Sequence, residues 1–159
     1  MSDALVRPME ERDIPAVQSM FIALHEYLYE LGSLHKLNPE WPGDYLKMML
    51  DSRLGRVFVL EADLGAVGFI CVTIPYVNKK FIADGPKMTG FVSELFIEPS
   101  YRGKAFSRML LSAAEGYFKA LGIRHMQVEV LTGNETADSL YKGFGFAHTY
   151  SNLCKIIEE

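Results

Sequence analysis

Cysteine is scarce: Cys71 and Cys154 are the only two in 159 residues, and they stand far apart with no C-x-x-C spacing. That leaves no basis for a disulfide framework, a zinc knuckle or a dithiol redox pair, and the apolar context of each reads as a buried, reduced thiol. Long apolar runs are missing too. Nowhere do about 18 uninterrupted apolar residues occur, and the opening MSDALVRPMEERDI lacks the apolar stretch of a signal peptide. The expectation is a cytoplasmic protein that does not enter a membrane. Positive charge is not in excess: the formal net charge is -4 at a pI near 5.6, which argues against a nucleic-acid partner and makes a cationic one more natural. His25, His35, His125 and His148 show neither H-x-x-x-H nor H-E-x-x-H spacing, so no metal is predicted. Walker spacing and G-x-G-x-x-G are both absent.

What is present is apolar residues, at 49% enough to build a core in one domain spanning residues 1–159. Their spacing predicts a mixed α/β fold. A strand is expected at 4–8. Ile14, Val17, Phe21, Leu24, Leu28 and Leu31 then lay one apolar stripe on a helix over 12–31. A second helix is expected at 43–54, stopped by Gly55. Val57 to Ala62 and Val67 to Val77 read as antiparallel strands joined at Asp63-Leu64-Gly65, followed by a polar loop and a strand over 88–97. Phe106, Met109, Leu110, Ala113 and Tyr117 define the clearest helix, closed by Gly122. Residues 125–131 alternate as a strand with one polar face. Thr132-Gly-Asn-Glu135 has capping-box spacing for a short helix reaching Lys142, broken by Gly143 and Gly145 before a last strand over 146–157.

Two stretches carry chemistry. In Glu94-Leu-Phe-Ile-Glu-Pro-Ser-Tyr-Arg-Gly-Lys-Ala-Phe-Ser107 a strand ends, a basic turn follows and an amphipathic helix begins. Free N–H groups at a helix start, with Arg102 and Lys104 beside them, suit a pyrophosphate; solvated charges at an ordinary helix start would look the same. The second stretch is Val128-Glu-Val-Leu-Thr-Gly-Asn134 with Ala137, Leu140-Tyr141 and Phe144-Gly-Phe146.

Together, and with Val6-Arg7-Pro8 and Asp13-Ile14-Pro15 at the start, these stretches resemble the GNAT superfamily of N-acetyltransferases. The resemblance covers nearly the whole chain in the right order. It implies a central mixed, twisted sheet of about six or seven strands flanked by about four helices, with a splayed parallel pair, here 88–97 and 125–131, admitting acetyl-CoA. By resemblance, Leu95, Phe96 and Ile97 pair with the pantetheine arm, and Arg102, Gly103, Lys104, Ala105, Phe106 and Ser107 cradle the pyrophosphate. Asn134 contacts the coenzyme, and Tyr141 protonates the departing thiolate. The family's turn usually has glycines where this chain has Ala105 and Ser107.

The implied reaction is direct attack of a primary amine on the thioester through a tetrahedral intermediate, with no covalent enzyme intermediate. It needs a base as well as an acid, since the amine is mostly protonated at neutral pH. Glu129, on the polar strand face, and Glu94, on the facing strand, are the two candidates. His25, Glu26, Tyr27, Tyr29, Glu30, His35, Trp41, Asp44 and Tyr45 fall where the family lines its acceptor site and would suit a cation, although any pair of solvent-facing helices carries similar residues. A coenzyme A-binding module without turnover, or a domain with no coenzyme at all, are the competing readings. Leu153, Ile156 and Ile157 near a sheet edge suggest a homodimer.

Overall fold

The computed structural model describes residues 3–63 and 65–158. Its sheet runs in sequence order: β1 (Leu5–Pro8), β2 (Gly55–Ala62), β3 (Gly65–Thr73), β4 (Gly90–Ile97) and β5 (Met126–Val128). The first three pairings are antiparallel and β4 with β5 is parallel. Alternation along the central strands sends side chains to both faces, so the sheet carries two cores. On one face α1 (Ile14–Glu30) and α2 (Trp41–Leu50) bury Val17, Phe21, Leu46 and Met49 against Val57, Val59, Phe69 and Cys71. On the other, α3 (Phe106–Ala120) and α4 (Glu135–Phe144) cover Leu60, Ile70, Val72 and Val92. Each large apolar side chain so buried contributes on the order of 1.5–3 kcal/mol.

The α/β class, the mixed sheet with its parallel pair and the four helices are as the sequence predicts. The strand count is five among the described residues. The expected strand over 146–157 is not formed: Gly145, at φ 113°, ends α4, and residues 146–158 have no regular structure. A strand needs a hydrogen-bonded neighbour, and β5 is only three residues long. Leu153, Ile156 and Ile157 are therefore 84–93% exposed, and Cys154 is exposed whereas Cys71 is buried.

Smaller differences have local causes. Gly55 does not stop α2 but opens β2, where a Cβ would lie 2.6 Å from Met49 Cε and 2.9 Å from the Val72 carbonyl oxygen. The helix instead ends at Leu50. Asn134, not Thr132, caps α4, and Gly143 is accommodated inside it. The turn into β3 has Asp63 at φ 54°, and Leu64 lies outside the described residues. No helix among the described residues is long and apolar enough to cross a membrane.

One ion pair fastens β1 to the start of α1. Arg7 grips Asp13 bidentately, with Nη1 donating to Oδ2 at 2.7 Å and Nη2 to Oδ1 at 2.9 Å, while its Nε donates to Glu61 of β2. Asp13 is only 6% exposed and also accepts from the Glu10 N–H at 2.8 Å. Burial pulls its carboxyl upward, but the hydrogen bonds from Arg7 and Glu10 outweigh that and hold it below the usual carboxylate range. Asp13→Asn should cost about 2 kcal/mol in urea unfolding at neutral pH, because a largely buried guanidinium loses its bidentate carboxylate and keeps only Glu61 close by. The depressed carboxyl contributes stability above its unfolded value of about 3.9 and loses it as pH falls through the folded value. The gap between wild type and variant should therefore close in acid; a gap that persists at all pH values would show that charge is not what Asp13 contributes.

Candidate active site

The parallel pair opens where the resemblance expects a wedge. Gly90, Phe91 and Val92 pair with Met126, Gln127 and Val128, and there the ladder stops. β4 continues to Ile97 with only β3 beside it, so the other edge of Ser93–Ile97 has no strand partner among the described residues. Unpaired backbone donors and acceptors in such a row are a template for an extended ligand.

A bulge determines what β4 presents there. Cys71 pairs with Glu94 but Val72 pairs with Val92, which leaves Ser93 as an extra residue, its Oγ donating to the Cys71 carbonyl at 3.2 Å. Beyond the bulge the alternation is reversed: Leu95 and Ile97 pack toward α3, and Phe96 toward α1 and α2. Glu94 shares the face of Cys71 and lies beside α1, where its Oε1 is 3.6 Å from Nε2 of His25. Its side chain is 13% exposed, and Oε2 and His25 Nε2 are both buried without a partner among the described residues.

Past the end of β4 the chain turns through residues 102–105 into α3. Gly103 has φ 76° and Ala105 φ 62°, both left-handed, whereas Ser107 already lies within the helix. Of the two departures from glycine, only Ala105 is strained, by about 1 kcal/mol. Arg102 Nε donates to the Ile97 carbonyl at 2.8 Å and its guanidinium lies 5.2 Å from the Phe96 ring centroid, while Lys104 Nζ lies 5.4 Å from that of Tyr101. Phe106 is partly buried against the α3 core. A third cation was not singled out in the sequence. Arg108 donates to the Gly143 carbonyl at 3.1 Å and covers Phe144, joining the start of α3 to the end of α4; its signal was the run R-G-K-A-F-S-R, with three cations in seven residues.

Asn134 caps α4, its Oδ1 accepting from the Ala137 N–H at 3.3 Å, which leaves its amide donors outside the cap. Tyr141, on the inner face of α4, is 8% exposed and packs edge-on against Phe146. Burial, and next the negative charge of Glu94, push its hydroxyl up to about 12. Glu129 lies just past the end of β5 and is exposed. The structure thus places Glu94 beside α1 and Tyr141 within the core under α4, and leaves Glu129 at the surface.

Residues 20–146 match the model of the acetyltransferase (GNAT) family. The chain belongs to the GNAT acetyltransferase family. Among named relatives of this GNAT protein, an uncharacterized N-acetyltransferase of Methanocaldococcus jannaschii is 28% identical over 67% of this chain and 46% of its own length. A Bacillus subtilis protein, provisionally named as a ribosomal protein bS18-alanine N-acetyltransferase, is 25% identical over 82% of this chain and 79% of its own. The chain thus spans under half the length of the first of these relatives. An aminoglycoside N-acetyltransferase solved in complex with CoA superposes with a TM-score of 0.80 at 19% identity, covering 99% of this chain and 96% of the other.

The strain at Ala105 is directly measurable. Ala105→Gly should stabilise the protein by roughly 0.5–1 kcal/mol in thermal unfolding, since glycine accepts positive φ without a Cβ penalty. A loss of stability would mean that the turn does not hold this conformation in solution.

Proposed function

We propose that this GNAT protein transfers an acetyl group from acetyl-CoA to a primary amine, with Glu94 as base and Tyr141 as acid. The observation that carries this reading is the gap beside Ser93–Ile97, with the largely buried Glu94 on the strand that borders it. The residues present suit the cosubstrate: the free edge of β4 is matched to an extended arm, and Arg102, Lys104 and Arg108 gather around the start of α3, whose first N–H groups lack helical partners. Asn134 supplies further donors.

Attack requires a neutral amine, so Glu94 first takes a proton from the ammonium group. Nitrogen then bonds to the acyl carbon, a tetrahedral intermediate forms, and the bond to sulfur breaks. Tyr141 donates its proton to the leaving sulfur and recovers one from the nitrogen, whose second proton is lost as the tetrahedral intermediate collapses to the amide. Its raised pKa ensures that the proton is present at neutral pH, and neutralising Glu94 removes one of the causes of that rise, so taking the amine proton makes Tyr141 a stronger acid when acid is needed. Glu94 is preferred over Glu129 as base because partly desolvated carboxylates next to a partner suit this role, whereas a solvated one is a weaker candidate.

The acceptor side is a groove of about 570 Å³ beside α1, with His25 at its inner end and Glu26 and Glu30 along its wall. Two carboxylates favour a cationic amine. Two of the three names point to amines, one on a protein and one on a small molecule, and both classes belong in the test.

Calorimetric titration with acetyl-CoA followed by thiol release with neamine, spermidine and an alanine-initiated peptide tests the reading. Micromolar binding with release supports it. Binding with no release from a broad amine panel would favour a coenzyme A-binding module, and no binding would reject both. Tyr141→Phe should lower kcat by roughly a hundredfold while leaving acetyl-CoA affinity near wild type; an unchanged kcat would remove Tyr141 from the mechanism.

The exposed apolar tail supports a homodimer as a second element of this reading. Light scattering should then give twice the 17.9 kDa chain mass, and Leu153→Lys with Ile157→Lys should halve it. A monomeric wild type would reject the dimer.

A further inference from the structure

Acetylating an ammonium group leaves a proton over. Nitrogen gives up two protons between ammonium and amide, the departing sulfur takes one, and the other has to leave a largely closed site. Glu94 is placed to take a proton but not to release it, since little of its side chain reaches solvent.

His25 stands between Glu94 and open water. Its ring stacks on Phe21, with centroids 4.9 Å apart and planes at 14°, which fixes its orientation. On one side Nε2 lies 3.6 Å from Glu94 Oε1, a separation that one bridging water closes. On the other side the ring, 29% exposed, lines the groove beside α1. His25 Nε2 and Glu94 Oε2 are both buried without a partner among the described residues. Buried polar atoms are seldom left so, and the approach of Nε2 to the same carboxylate through Oε1 makes the two side chains each other's natural partners.

We infer that His25 and Glu94 form a relay that carries the leftover proton out of the site. In the relay the imidazole accepts at Nε2 and donates at Nδ1. The proton moves from the acceptor nitrogen to the Glu94 carboxylate and from the carboxyl to His25 Nε2, and Nδ1 gives up its own proton to water in the groove. The ring then returns to its resting tautomer, and no atom or charge is left unbalanced. Imidazole suits this step because it accepts at one nitrogen and donates at the other near neutral pH. The remaining groups at the inner end are poor substitutes. Burial pushes Cys71 up to about 12 and raises Tyr45, whose hydroxyl is 3.5 Å from the Cys71 sulfur, well above an ordinary tyrosine. Tyr141 is committed to the sulfur. Glu26, Glu30 and Lys36 line the groove beyond the ring and complete the set of charged groups around it.

The relay rests on the transferase reading, and two experiments separate the failure of one from the failure of the other. The first uses the full chain without ligand: proton–nitrogen correlation spectra with isotope-labelled histidine compare the ring nitrogens of His25 in wild type and Glu94→Gln. Contact between the two side chains predicts that removing the carboxylate moves the His25 Nε2 resonance; an unmoved resonance overturns the relay even if the enzyme is active. The second measures thiol release with neamine and with butylamine as probes. His25→Ala should lose roughly a hundredfold in kcat with KM for acetyl-CoA nearly unchanged, and imidazole added to the buffer should restore part of the loss. His25→Gln should show the same loss without rescue, which separates a missing proton carrier from a disturbed fold. Wild-type kcat in either variant, or a loss in His25→Ala that imidazole does not touch, overturns the relay. If wild type releases no thiol with either amine or with any of the wider panel, the transferase reading fails and the relay with it, whatever the spectra show.

Discussion

Side chains on a strand alternate between faces, so a single extra residue moves everything after it to the opposite side. Ser93 is that residue in β4, and the site depends on it. With regular pairing, Glu94 would share the face of Val92, inside the apolar core under α3, where an ionised carboxylate has no partner and a cost of several kcal/mol. The bulge transfers it to the face of Cys71, next to His25 and the groove beside α1. It also lies one step beyond the last β4–β5 pair, at Val92 and Val128, so the change of face and the opening of the sheet coincide. A carboxylate is delivered to the gap at the point where a substrate can enter it.

The same position couples the two ends of the proposed chemistry. Glu94 reaches His25 on the groove side and its charge reaches Tyr141 on the α4 side. Loading the base primes the acid, and unloading it through His25 resets both. The surrounding groups are tuned to stay out of this exchange, because desolvation keeps Tyr45 and Cys71 neutral. A site of this kind needs few residues, provided that the packing around them is rigid; here Phe21, stacked on His25 and on Phe69, supplies much of it.

Much of this was legible in the sequence. Helical spacing located α1 and α3 to within one or two residues of their ends, since a long amphipathic stripe bounded by glycine admits few alternatives. The motif residues from Glu94 to Ser107 and from Asn134 to Phe146 fell on the strand end, turn and helix expected of them. Less legible was anything set by pairing between distant segments. The bulge at Ser93 follows from the register with β3, and nothing within Phe91-Val-Ser-Glu94 announces it. Without the bulge, alternation alone could not choose between Glu94 and Glu129. His25 looked like one more polar residue on a helix until α1 was laid against β4. The unformed strand over 146–157 is the opposite case: a strand is a property of two segments, and β5 offers too short an edge.

Stability is therefore distributed unevenly across the sheet. β1 to β4 are held by long antiparallel ladders, cores on both faces and the clamp of Arg7 on Asp13. β5 has three paired residues, the turn before α3 carries the strain of Ala105, and the tail is solvated. Segments with few buried contacts and unpaired backbone open most readily, and binding sites are drawn from them because their polar groups are still available. An extended ligand lying along Ser93–Ile97 would supply the ladder partner that β5 stops short of providing. On the proposed reading the cosubstrate thus completes the sheet as well as occupying it, so its binding energy is spent partly on ordering the half of the fold that performs the chemistry.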